Sequence, residues 1–212
     1  MPMIDDLMGQ LQGGGITEIS RQLGIDESKV SHVVAGAIPA MVTGLANNSA
    51  TSAGRDALAS AIGRDHDGGV LDDVLGFLGS GGAESVGAGI LGHVLGSRQT
   101  SVNQALGGAS GLDATSVQQI LAMVAPLVMG YLGKAKSSRG LDGAGLGAML
   151  GNEKKNAAQA APDAMGMLGK LLDADGDGRT TIAEIKARIA HDNNVVVPPD
   201  MRLDLFFEGK AL

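Results

Sequence analysis

One stretch of this chain is written twice. Gly24-Ile25-Asp26 returns as Gly111-Leu112-Asp113, and the residues that follow keep step without a gap. Val30 answers to Val117, Val33 to Ile120, Val34 to Leu121, Ala35 to Ala122, Pro39 to Pro126 and Leu45 to Leu132, each pair 87 positions apart. In both copies an aspartate stands where a helix N-cap belongs, able to accept from backbone N–H groups that the first turn leaves free. Apolar positions then recur at helical spacing, and a proline inside the pattern must kink the helix or begin a new one. A shared cap, proline and register predict a duplicated helical unit. The competing reading is two ordinary amphipathic helices that resemble each other.

The segments around the copies also read as helices. Met3, Ile4, Leu7, Met8 and Leu11 line one face of a helix over 3–12, which Gly13-Gly14-Gly15 ends. Further short helices are predicted over 17–23, 51–62, 70–78, 84–95 and 101–106. With 34 Gly, one Tyr, three Phe and no Trp, the core must come from close backbone approach and from Leu, Val, Ile and Met. That predicts an all-α fold. Glycine costs roughly 1 kcal/mol against alanine in a helix, so some of these helices should be short.

The second half changes character. We read residues 1–133 as the duplicated core and 134–157 as a polar, glycine-rich connector, its Lys134–Arg139 run a solvated loop. A weak helix over 141–150 follows. Residues 158–192 read as a helix–loop–helix hairpin and 193–212 as an extended tail. In that tail Met201, Leu203 and Leu205 alternate with Arg202 and Asp204, and two of the three phenylalanines follow, Phe206 and Phe207. Such a tail should dock on its own body or on a neighbouring subunit.

The hairpin carries the clearest chemistry in the chain. Calcium takes six to eight oxygens, and a 12-residue loop supplies them from positions 1, 3, 5, 7, 9 and 12, with glycine at 6 for the bend. Counted from Asp173, the ligands are Asp173, Asp175 and Asp177, the Arg179 carbonyl, Thr181 and the closing Glu184, with Gly178 at the bend. The match to the EF-hand pattern is full, and it lies between two predicted helices. Position 8 is Thr180 where paired sensor loops carry an apolar residue, which favours a single structural site. A degenerate second loop, from Gly63 to Asp73, keeps Asp65, Asp67 and Gly68 but lacks the first aspartate and the closing glutamate. Asp72 or Asp73 would have to substitute there.

Other signals carry less. Gly87-Ala88-Gly89-Ile90-Leu91-Gly92 fits a dinucleotide fingerprint in letters, but no strand precedes it, so small residues for helix packing explain it better. His32, His66, His93 and His191 show no metal spacing, and no Ser–His–Asp or paired-carboxylate arrangement is present in the sequence. A net charge of −7 and a pI near 5.0 oppose a nucleic-acid track, which needs clustered Lys and Arg. The absence of cysteine fits the cytoplasm. The acidic N-terminus does not read as a secretory leader, and no run of about 18 uninterrupted apolar residues marks a membrane span.

At Gly89-Ile90-Leu91-Gly92-His93-Val94-Leu95-Gly96, Leu112-Asp113 and Ala125-Pro126-Leu127-Val128-Met129-Gly130, the sequence resembles the bacterial YidB-like family, whose function is unknown. Leu171 to Gly178 resembles the stretch with which members often close. The resemblance covers roughly residues 15–185. It implies an all-helical, homeodomain-like arrangement and no established activity. The expectation is therefore a non-enzymatic calcium-binding structural or scaffold protein that self-associates into a homo-oligomer, with Ca2+ as its ion and no membrane partner. The alternative is a DNA-associated regulator, which only the homeodomain-like resemblance suggests.

Overall fold

The computed structural model describes residues 3–65 and 68–160. Nine α-helices follow one another there: α1 (Met3–Gln10), α2 (Ile16–Leu23), α3 (Glu27–Asn48), α4 (Ser52–Asp65), α5 (Val74–Gly79), α6 (Ala83–Val94), α7 (Gln99–Ser110), α8 (Ala114–Arg139) and α9 (Gly143–Ala160). No strand occurs among the described residues, so the expected all-α class holds. The predicted hairpin and extended tail lie outside them.

The two similar stretches of sequence take similar backbone turns. Helix α2 ends on Gly24 at φ 66°, ψ 30°, and α7 ends on Gly111 at φ 67°, ψ 32°. Both are left-handed positions that glycine takes without steric cost. The next amide closes the turn in both copies, Ile25 N–H onto the Ser20 carbonyl at 3.2 Å and Leu112 N–H onto the Gly107 carbonyl at 3.1 Å. The aspartate caps then start α3 and α8. Asp26 accepts from Ser28 N at 2.8 Å. Asp113 accepts from Thr115 N at 2.9 Å and Ser116 N at 3.0 Å. The pairs α2–α3 and α7–α8 thus share one turn geometry, which Gly140-Leu141-Asp142 between α8 and α9 also takes.

The Ser28 and Ser116 hydroxyls also donate to these carboxylates, and those side-chain bonds first, then the backbone ones, hold both cap carboxyls below the usual aspartate range. The caps therefore support the fold above the unfolded aspartate pKa and lose that support as pH falls through the lowered folded value. Asp113→Ala is expected to lower the melting temperature by several degrees at neutral pH and by less in acid, and thermal melts at both pH values would show it.

Helices α3 and α8 form the centre. Val30, Val33, Val34, Ala37 and Ile38 of α3 are fully buried, as are their counterparts Val117, Ile120, Leu121, Val124 and Ala125 of α8. Both helices are long and apolar enough to cross a membrane by length and composition, but 61% and 78% of their apolar windows are buried inside the fold. A helix surrounded by others reads apolar on every side. Both run continuously through their prolines. Pro126 has no N–H to offer the Ala122 carbonyl, and α6 covers that carbonyl with Gly87. A Cβ at Gly87 would overlap the oxygen. This close approach belongs to the most extensive helix contact among the described residues, α6 on α8.

The predicted Lys134–Arg139 loop is instead the last turn and a half of α8. Lys and Arg are good helix formers, and their charge suits the C-terminal end of the helix dipole. Their side chains also have partners: Lys136 Nζ donates to the Ala59 carbonyl at 2.9 Å, and Lys134 Nζ meets Asp72 at 3.4 Å. Likewise the weak helix over 141–150 is the first half of α9. Asp142 accepts from Gly145 N at 2.8 Å, and Leu146, Leu150, Glu153 and Ala157 form one buried stripe. That stripe lays α9 across α3 and α4.

Candidate functional site

The predicted calcium ligands Asp173, Asp175, Asp177, Arg179, Thr181 and Glu184 all lie outside the described residues. The degenerate loop is described in part. Gly68 abuts Lys134 and the Gly130 carbonyl of α8. Asp72 pairs with Lys134, and Asp73 caps α5 by accepting from Gly76 N at 2.8 Å. The two aspartates proposed as substitutes at that loop therefore have structural partners. Among the described residues no three His, Cys, Asp or Glu side chains come close enough to hold a metal ion.

The described residues also form several concavities, among them a polar cleft and an apolar groove. The first is a polar cleft of about 550 Å³ where α1 meets the end of α8, lined by Asp5, Asp6, Gln10, Tyr131, Lys134 and Arg139. Tyr131 donates to Asp6 Oδ2 at 2.9 Å, tying the two helices across 125 residues of sequence. Burial first, then the Asp6 hydrogen bond and charge, push the phenol up to about 12. It is a neutral donor at physiological pH, fit for holding α1 in place. Because folding raises this pKa above its unfolded value, its contribution is whole below about 10 and fades as pH climbs through about 12. The chain has one tyrosine and no tryptophan, so absorbance of the phenolate reports this group alone. Its midpoint is expected near 12 in the folded protein and lower in Asp6→Asn.

The second concavity is an apolar groove of about 720 Å³. Helix α4 presents Ala57, Leu58 and Ala61 to it, and α6 presents Val86, Ile90 and His93. Both sets follow the spacing of one helical face. At one end Asn48 donates to the His93 carbonyl at 2.8 Å and the Val94 carbonyl at 3.2 Å, satisfying the C-terminal turn of α6. Val86 stays 48% exposed on the α6 wall. The signal for this groove was in the sequence only as the spacing of small and apolar residues. Nothing there said that two such faces would meet.

The pairs α2–α3 and α7–α8, completed by α1, α4–α6 and α9, with no metal cluster among the described residues, define an all-α helical module. The chain belongs to the family described as "Bacterial protein of unknown function (DUF937)", which it matches over residues 5–135. The match runs from within α1 to within α8, so α9 and the calcium-loop sequence lie beyond it. No curated protein and no solved structure matches the chain.

Proposed function

We propose that this is a non-enzymatic, calcium-binding structural protein that self-associates. One observation carries the reading: the complete 12-residue ligand pattern from Asp173 to Glu184. Six of the described carboxylates support it from the other side, because they have structural partners. Asp26, Asp73, Asp113 and Asp142 start helices, Asp6 holds Tyr131, and Asp72 pairs with Lys134. Calcium would order the hairpin after α9 and so fix where the apolar tail leaves the body. Leu75 of α5, 50% exposed, is a described apolar side chain that a second copy would cover.

The DNA-associated reading is the weaker one. Helix-pair readers of DNA insert the start of the second helix into the major groove. The first two turns of α3 offer Lys29 and His32 beside Glu27, and those of α8 offer no basic residue. Lys29 Nζ reaches the Gly111 carbonyl at 3.5 Å, and His32 Nδ1 lies 2.9 Å from the Ser28 carbonyl.

Titration calorimetry with calcium, on the full chain, tests the metal. One site per chain is expected, lost in Asp173→Ala and in Glu184→Ala. At a hundredfold excess over Kd the ion would stabilise whatever folds around it by about 2.7 kcal/mol. No heat of binding in the parent protein would sink the reading. Light scattering on the same samples tests self-association, which requires a mass above the 21.3 kDa of one chain.

A further inference from the structure

We propose that the groove between α4 and α6 is the docking site of the chain's own segment Met201–Phe207. The groove walls are small and apolar, with Ala57 and Ala61 on one side and Val86 and Ile90 on the other, and they leave about 720 Å³ to be filled. No Phe, Tyr or Trp lines it among the described residues. The segment supplies the complementary shape. It holds Met201, Leu203 and Leu205, then Phe206 and Phe207, and the chain's remaining phenylalanine, Phe77, already rests against the core. Large knobs thus meet small walls, as in grooves that take an apolar peptide.

Charge agrees with shape. Among the described residues the ionisable groups lining the groove are Arg64 and His93, with no carboxylate. The segment is flanked by Asp200 and Glu208 and carries Asp204 against the one cation Arg202. Reach is no obstacle, since about 40 residues separate Ala160, where α9 ends, from Met201, and an extended chain covers about 3.3 Å per residue. Tethering also gives the segment an effective concentration that a free partner would have to exceed. The docking does not require a loaded calcium loop, so it is measured both in calcium and in chelator.

The chain has no tryptophan, which makes Phe207→Trp a single reporter in the full-length protein. Its emission is expected to be that of a buried indole and to hold on dilution to a monomer. Adding Ala57→Arg on the α4 wall, or Val86→Arg on the α6 wall, should shift it to that of a solvated indole. Thr115→Arg, on α8 and outside the groove, should leave it unchanged, and circular dichroism checks that each variant keeps its helices. A solvated indole in the parent overturns the proposal. So does a buried indole that neither wall variant moves, because the segment then docks elsewhere. A buried signal that disappears on dilution overturns it too, since a second copy then fills the groove. Docking seen in chelator, with no calcium binding by calorimetry, would sustain this inference while the calcium reading fails.

Discussion

Gly87→Val is expected to abolish the cooperative melting transition of this protein, or to lower it by more than any other single surface-to-core exchange between α6 and α8. The side chain has no room. Gly87 lies against the backbone carbonyl of Ala122, and any Cβ there overlaps the oxygen. A flexible side chain could swing away, but this oxygen belongs to the central helix. The carbonyl is open to approach because Pro126, four residues on, has no N–H to give it. A glycine Cα–H is the small group that can cover such an oxygen at short range. Overpacking commonly costs about 1–3 kcal/mol. Against a rigid backbone atom, in the largest helix contact among the described residues, the upper end or beyond is expected. Gly89 provides the control on the same helix. A Cβ there meets nothing within 4 Å, so Gly89→Ala should stabilise by about 0.4–1 kcal/mol through reduced freedom of the unfolded chain. Denaturant melts of both variants decide the matter. Similar midpoints for the two would mean that α6 does not sit on α8 as described.

This pair also shows where sequence reading stops. The letters Gly87-Ala88-Gly89 point to helix packing, and packing is what Gly87 serves. Yet its neighbour Gly89 has the same letter and no such role. Which glycine faces the free carbonyl depends on the rotation of α6 about its axis, and that is set by tertiary contact alone. The caps were legible because they are local. An aspartate two or three residues before an amide, or a glycine at a helix end, carries its partner within one turn of chain. The Tyr131–Asp6 bond and the α4–α6 groove were not legible, because each joins residues that only the completed fold brings together. Lys134–Arg139 was misjudged for a related reason. Its charge suggested a solvated loop, and Lys134 and Arg139 are indeed exposed, but the run is helical, with Asp72 and the Ala59 carbonyl, distant in sequence, as partners of Lys134 and Lys136. The calcium loop is the opposite case. Its ligands are all within one 12-residue stretch, so spacing alone states the chemistry, while its setting beyond α9 is left for experiment.

Ile120→Ala should be the most costly of the simple core truncations, at about 2–5 kcal/mol. Ile120 is fully buried on α8, the helix that touches α3, α6 and α7. Its counterpart 87 residues earlier is Val33, also fully buried, on α3. If the two helix pairs are equivalent units, the environments differ chiefly by the methylene that separates isoleucine from valine. Val33→Ala should then cost about 1 kcal/mol less, close to the value of one buried CH₂ with a small cavity term added. Either loss is a large share of the roughly 5–15 kcal/mol that holds a domain of this kind together. The measurement is the denaturation midpoint of each variant at constant slope. A Val33→Ala cost equal to or above that of Ile120→Ala would show that the first copy has become the tighter centre. The duplication would then survive in turn geometry but not in packing. The double variant sharpens the test, because α3 packs on α8. Coupling between the two sites means a cost that departs from additivity by more than about 0.5 kcal/mol, and independent copies would simply add.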